Sequence, residues 1–275
     1  MQLQFPITPD EFTRSEQMIL EYIGSHTDEF LFLPIGQISA QLGLSDATLS
    51  RFARRVGCRD FKALKSLVME QSGSHGPAVK LAGTLQEEGG FSLSAWIRQQ
   101  QLYLEKTLEQ IDETEFNRAV TALSKAQHVF IHGKNASSAL ARLLNFRLRR
   151  LGLQVTLLPS GGSELIEGLS FAEKDDLVVL FSFSKLSREG RILLDYQKEI
   201  GYQTLCFTSR TYLPEEQRAD INLFAYRGSE REYHSLSAPT VLTDALVVAV
   251  SERRGTAGLQ KLSELHRLKK RYFSE

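Results

Sequence analysis

The sequence predicts an all-α N-terminal domain followed by an α/β domain, a five-stranded parallel sheet with helices on both faces. Three observations predict it. Apolar residues recur at helical spacing from Thr13 to Val68, with no alternating strand pattern between. The stretch Gln71 to Pro77, QSGSHGP, is rich in Ser and Gly and ends in Pro, a linker signal. From His128 onward short apolar runs alternate with helical stretches, the pattern of a parallel sheet whose strands are buried on both sides.

Thr13 followed three residues later by Glu16 fits a capping box, and Met18, Ile19, Tyr22 and Ile23 make the face of the helix it starts. Asp28 to Pro34 reads as a short apolar connection. Ile35, Ile38 and Leu42 line one face of the next helix. Gly43 suits a tight turn because glycine tolerates positive φ. Ser45 is a preferred N-cap for a helix over Asp46 to Val56, whose buried face is Leu49, Phe52, Ala53 and Val56; Gly57 stops it. Phe61, Leu64, Leu67 and Val68 mark one more helix. Helix, glycine turn and capped helix together form the helix-turn-helix signature.

The solvent face of the second helix of this motif carries Asp46, Ala47, Thr48, Ser50, Arg51, Arg54 and Arg55, and Arg59, Lys62 and Lys65 follow. Ser45, Ala47, Thr48 and Ser50 are small enough to allow close approach to a DNA groove. Arg51 and Arg54 suit base edges or phosphate, and Arg55, Arg59 and Lys62 suit phosphate. A merely solvated basic face on a helical bundle is the competing reading.

Ala78 to Glu88 is a short helix candidate ended by Gly89-Gly90. Leu93 to Leu108 and Phe116 to Ala126 are stronger ones, which either join the domains or mediate self-association. Strands are expected at His128 to Gly133, Leu153 to Leu158, Asp176 to Ser182, Tyr202 to Thr208 and Asp220 to Ala225. Helices are expected at Ala136 to Leu151, Ser163 to Phe171 and Glu189 to Ile200, with a weaker one near Glu215. Ser235 to Arg253 is a long closing helix, and Leu259 to Tyr272 is a basic terminal one. The domain boundaries follow as 1–72, 73–110 (linker and connecting helices), 111–253 and 254–275. Lys269, Lys270 and Arg271 read as a solvated helix end, with a DNA or subunit contact as the alternative.

Ligands of open α/β folds sit beyond the carboxyl ends of the strands. Two turns there stand out. Gly133-Lys134-Asn135-Ala136-Ser137-Ser138 follows the first strand, and Ser182-Phe183-Ser184-Lys185-Leu186-Ser187 follows the third. Hydroxyls and helix-start amides in such turns suit an anion. Ordinary N-capping by Ser137 and Ser187 is the plainer alternative. Asn135 tolerates left-handed backbone. Lys185 either fills the anion's space or adds a cation that pairs with it.

Composition excludes several classes. Net charge is zero, so nucleic-acid contact must come from a local patch. Two distant cysteines, Cys58 and Cys206, argue against a disulfide framework and for a reducing cytoplasm. No apolar run approaches the ~18 residues of a membrane span, and the N-terminus lacks a secretory signal pattern. No cluster of metal-ligating residues appears, so neither metal nor cofactor is expected. His132 and His234 are weighed as catalytic candidates and read as structural or simply near the pocket.

Taken in order, these motifs resemble the RpiR family of bacterial transcription regulators, across nearly the whole chain. The family's Ser, Ala, Thr, Arg-Phe and Gly-Phe pattern is Ser45, Ala47, Thr48, Arg51-Phe52 and Gly57 with Phe61. Its two serine turns are Gly133 to Ser137 and Ser182 to Ser187, with Asn135 and Lys185 where glycine is usual. The resemblance implies a helix-turn-helix domain that binds operator DNA. It also implies a SIS (sugar isomerase) domain that senses a phosphosugar or related anionic metabolite, with no catalytic residues. Gly133, Asn135, Ser137, Ser138, Ser182, Ser184, Lys185 and Ser187 would line the effector site, with Ser237 near it, a region often contributed across a subunit interface. A homodimer or homotetramer without membrane attachment is expected. The alternatives are a phosphosugar isomerase on the same fold, or a DNA-binding oligomer whose effector pocket is occluded.

Overall fold

The computed structural model describes residues 3–72, 80–81, 84–85, 91–229 and 232–273. The expected linker over 71–77 and the short helix over 78–88 fall largely outside them. The chain forms two compact units: Met1–Arg98 with Gly228–Ser235, and Gln99–Arg227 with Leu236–Glu275.

In the first unit, α1 (Arg14–Ser25), α2 (Thr27–Phe32), α3 (Ile35–Leu42), α4 (Asp46–Arg55) and α5 (Phe61–Gln71) surround one apolar core. Ile19, Ile23, Phe30, Ile38, Leu49, Phe52, Val56 and Leu64 fill it. The α1 capping box forms as expected: the Thr13 amide donates to Glu16 at 2.8 Å, and the Glu16 amide donates to the Thr13 hydroxyl at 3.4 Å. The stretch expected to be an apolar connection is a helix, α2. Two acidic residues in its first turn, Asp28 and Glu29, favour a helix start, and burial of Phe30 and Leu31 holds it in place. The helical period is hidden in the sequence because the element is under two turns long.

α6 (Leu93–Gln110) connects the two units in sequence. The second unit continues with α7 (Glu113–Lys125), β1 (Val129–Gly133), α8 (Ser137–Arg150), β2 (Val155–Leu157), α9 (Ser163–Leu169), β3 (Leu177–Phe181) and α10 (Arg188–Ile200). β4 (Gln203–Thr208), a 3-10 turn at Glu215–Gln217, β5 (Ile221–Phe224), α11 (Ser237–Arg254) and α12 (Thr256–Phe273) complete it.

The five strands are parallel, in the order β2-β1-β3-β4-β5. Side chains of one sheet face, including Val129, Ile131, Val179 and Leu205, pack with α7, α8 and α11. Those of the other face, including Phe130, Val178, Leu180 and Cys206, pack with α9 and α10. Strand order reverses direction at β1, with β2 on one side of it and β3 on the other. The turns after those three strands therefore lie side by side. In register, Gly133 pairs with Phe181, so the β1 and β3 turns start level with each other.

Candidate functional site

Two regions of the described chain carry chemistry. The first is the α3–α4 pair. Gly43 closes α3 at φ +64, the left-handed conformation that glycine adopts without strain. The Ser45 hydroxyl accepts from the Thr48 amide at 3.2 Å and caps α4. The single O–H of Ser39 on α3 is shared between the Gly36 carbonyl, at 3.0 Å, and the Asp46 carboxylate at the start of α4. That bond fixes the second helix against the first, and it is invisible in the sequence because it joins residues on different elements.

Ala47, Ser50, Arg51 and Arg54 fall at successive turns of α4, opposite Leu49, Phe52, Ala53 and Val56. Ala47, Arg51 and Arg54 are exposed; Thr48 and Ser50 are half-buried. Arg51 donates to the Thr48 hydroxyl at 3.3 Å, which lays its guanidinium along the helix surface.

Other members of the basic set behave differently. Arg55 donates to the Glu11 carbonyl at 2.8 Å and pairs with Glu16 at 3.2 Å, so it ties α4 to α1. Arg59 is highly exposed and pairs with Asp60, the N-cap of α5, at 3.0 Å; Lys62 is exposed. Lys65 does not belong to the surface face at all. It is 5% exposed, and its ammonium donates to the Leu31 and Leu33 carbonyls at 3.3 and 2.5 Å. Those carbonyls sit at the C-terminal end of α2, where unpaired acceptors and the helix dipole favour a cation. Burial pushes its pKa down to about 8.

The second region lies beyond the carboxyl ends of β1, β2 and β3. Gly133 ends β1 where the first turn of α8 comes close: a Cβ there would sit 2.6 Å from the Ser137 carbonyl oxygen. Asn135 takes φ +53 and supplies the left-handed residue of the turn. The Ser137 and Ser138 amides donate to the Lys134 and Asn135 carbonyls at 3.1 and 3.0 Å, so the turn is closed by its own amides. In the β3 turn, the Ser182 hydroxyl donates to the Lys185 carbonyl at 3.0 Å. Ser187 caps α10, accepting from the Gly190 amide at 3.1 Å. Ser184 and Lys185 are exposed on that turn. Ser237 opens α11 after β5, a strand separated from β1 by β3 and β4.

Sequence reasoning passes over Glu189 here, quotes Lys134 only as part of its turn, and weighs His132 only as a catalytic candidate. Lys134 of the β1 turn pairs with Glu189 of α10 at 2.9 Å, joining the two serine turns. The Lys134 ammonium beside Glu189, the Glu189 backbone amide and the Ser187 hydroxyl hold that carboxyl down at about 2. His132, on β1 just before the turn, is 4% exposed, and neither ring nitrogen meets hydrogen-bond geometry with a partner. Burial lowers its pKa, with the Glu189 charge and the Pro159 backbone pulling it back up and the Lys134 charge pushing it down. Glu189 is legible only as the second residue of a helix, where an acidic side chain is ordinary.

Residues 4–74 match the family model of the rpiR-type helix-turn-helix domain, and residues 122–249 match that of the SIS domain. The chain belongs to the RpiR family. As an RpiR-family protein it joins a DNA-binding head to a SIS domain, and it is a transcription regulator by architecture. Among solved structures it is similar to the sugar isomerase domain of an RpiR transcription factor from Sphaerobacter thermophilus. That match has 27% identity and a TM-score of 0.59, over 64% of this chain and 98% of that one. It shares the fold of the Vibrio vulnificus NanR protein complexed with ManNAc-6P, at 19% identity and TM-score 0.59, over 97% of this chain and 96% of that one. A protein of E. coli CFT073 matches at 23% identity and TM-score 0.50, over 63% of this chain and 97% of that one. Among the described residues no helix is long and apolar enough to cross a membrane.

Proposed function

We propose that this RpiR-family chain is a cytoplasmic regulator of carbohydrate metabolism that binds operator DNA through α4 and senses a sugar phosphate through its SIS domain. It acts as a regulator and not as an isomerase. The observation that carries the DNA-binding half is the division of labour among the basic residues. Arg55 is tied to α1 and Lys65 is buried within the helical domain, whereas exposed Arg51 and Arg54, with half-buried Ser50 beside them, lie on the outer side of a capped and buttressed helix. Side chains at the N-terminal part of a recognition helix reach base edges in the major groove, and the basic residues beyond it clamp phosphate. Arg59 and Lys62 are suited to that second role.

The effector half rests on the adjacency of the two serine turns at the point where strand order reverses. The NanR structure, which shares this architecture over nearly its whole length, was solved in complex with ManNAc-6P, and that supports a phosphorylated sugar as the ligand here. Ser182, Ser184 and Ser187 with the β1 turn form the phosphate end of that site, and Lys185 stands exposed at its rim. Operators read by helix-turn-helix proteins are matched to protein symmetry, so the working unit is a homodimer or a dimer of dimers. Effector binding then favours one placement of the two heads by its differential affinity for the placements.

Calorimetric titration of the full chain with a panel of hexose and pentose phosphates tests the sensing half, alongside an isomerisation assay on any compound that binds. Binding without turnover is expected. Turnover of a bound sugar phosphate would make the chain an enzyme with an accessory helical head.

A further inference from the structure

Two side-chain donors that an anion could use at the serine turns, Lys134 and Ser187, are engaged by a carboxylate of the chain itself. Lys134 approaches Glu189 at 2.9 Å from the β1 turn. The Ser187 hydroxyl and the Glu189 amide hold the same carboxylate from the start of α10. From the β2 side, Gly161 leaves room for it: a Cβ on that residue would sit 3.0 Å from Glu189 Oε1. One carboxylate thus occupies the meeting point of the turns after β1, β2 and β3. Its side chain is only 14% exposed although it is two residues into a surface helix.

A second observation says that the place is built for a ligand. His132 lies buried just before the β1 turn, close enough for the charges of both Glu189 and Lys134 to act on it; neither ring nitrogen meets hydrogen-bond geometry, the Pro159 backbone being the polar group nearest to doing so. Leaving a buried polar group unsatisfied carries a desolvation cost that a hydrogen-bond partner removes. A polar group entering from the cradle would supply what the fold does not.

We propose that the Glu189 carboxylate is a tethered stand-in for the effector's phosphate, and that Lys134 is an effector-binding residue which exchanges Glu189 for that phosphate. The inference rests on the sugar-phosphate reading above. Displacement follows from charge. A phosphate near neutral pH carries about 1.5–2 negative charges and three acceptor oxygens. A carboxylate carries one charge and two oxygens. A neutral sugar offers Lys134 no charge in return for the one it gives up, so the latch also selects anionic sugars over uncharged ones. The ion pair with Lys134 holds the Glu189 carboxyl below the usual carboxylate range, so near neutral pH the charged competitor is present and sets the affinity threshold. A site competent only when the latch is open binds with an apparent Kd raised by the inverse of the open fraction. A latch closed nine times in ten weakens binding roughly tenfold.

The test is calorimetric titration of inorganic phosphate into the full wild-type chain, Glu189→Gln, Lys134→Met and the double variant, with thermal melting to check that each is folded. Glu189→Gln is expected to bind phosphate roughly tenfold tighter than wild type. The gain should vanish in the double variant, because the freed Lys134 is what receives the phosphate. Glu189→Asp keeps the charge at the helix start but is one methylene short of Lys134; it should show a smaller gain in the same direction, and it serves if Glu189→Gln does not fold. If wild type binds phosphate and both Glu189 variants bind it equally or more weakly, the stand-in is wrong and the sugar-phosphate reading survives. If neither wild type nor the Glu189 variants bind phosphate at all, both the stand-in and the phosphate reading of the serine turns are overturned.

Discussion

Arg55 Nη1 lies 3.2 Å from the Glu16 carboxylate, so the last residue of α4 is bound to the first helix of its own domain. The contact separates two roles that the basic run Arg51 to Arg55 presents as one. Arg55→Ala should lower stability by about 0.5–1 kcal/mol, the worth of a half-exposed pair, and change DNA affinity little. Arg51→Ala with Arg54→Ala should leave stability nearly unchanged and weaken operator binding by about 1–3 kcal/mol per lost base contact. Chemical denaturation beside anisotropy titration separates the two patterns. Intact operator affinity in the double variant would remove α4 from the groove.

Lys62 and Lys65 make a second contrast. Lys62 is exposed and should contribute one phosphate contact, so Lys62→Ala should shallow the log–log salt slope of DNA binding by about 1. Lys65 is enclosed by the Leu31 and Leu33 carbonyls. Lys65→Met keeps the apolar stem but strands both acceptors; it should cost about 1–3 kcal/mol of stability and leave the salt slope as it was. Salt titrations of both variants check this.

How much is legible follows from which residues speak locally. The five strands, the capping box at Thr13 and the Gly43–Ser45 turn are all readable, because strand runs, caps and turns are written in neighbouring residues. α2 is not, because at under two turns its apolar pair looks like a loop. The serine turns are readable as strand-to-helix punctuation, whereas Glu189 is not. Its partner Lys134 lies 55 residues away, and only the strand order brings the two together. Lys65 misleads for the same reason: nothing beside it in the chain announces the α2 carbonyls that enclose it.

The Lys134–Glu189 pair also sets a pH dependence. Glu189 has its pKa lowered from 4.5 to about 2 on folding. A carboxyl depressed in the folded state contributes stability that is fully present above its unfolded pKa and is lost as pH falls toward the folded one. The melting-temperature gap between wild type and Glu189→Gln should therefore be constant from about pH 6 to about pH 5 and shrink steadily below about pH 4.5. Thermal melts of the two proteins at half-unit steps check it; a gap that stays flat down to about pH 3 would mean that the ion pair does not stabilise the fold.

The central claim is that one chain couples a DNA-reading helix to a sugar-phosphate site. The most direct test is a fluorescence-anisotropy titration of the full chain onto DNA from upstream of its own gene, at two salt concentrations, with and without each sugar phosphate. The predicted result is tight binding at low salt that weakens steeply at the higher one, with an affinity that at least one sugar phosphate shifts and its unphosphorylated sugar does not. Sequence-specific binding that no phosphorylated sugar alters, or no specific binding at either salt, would contradict it.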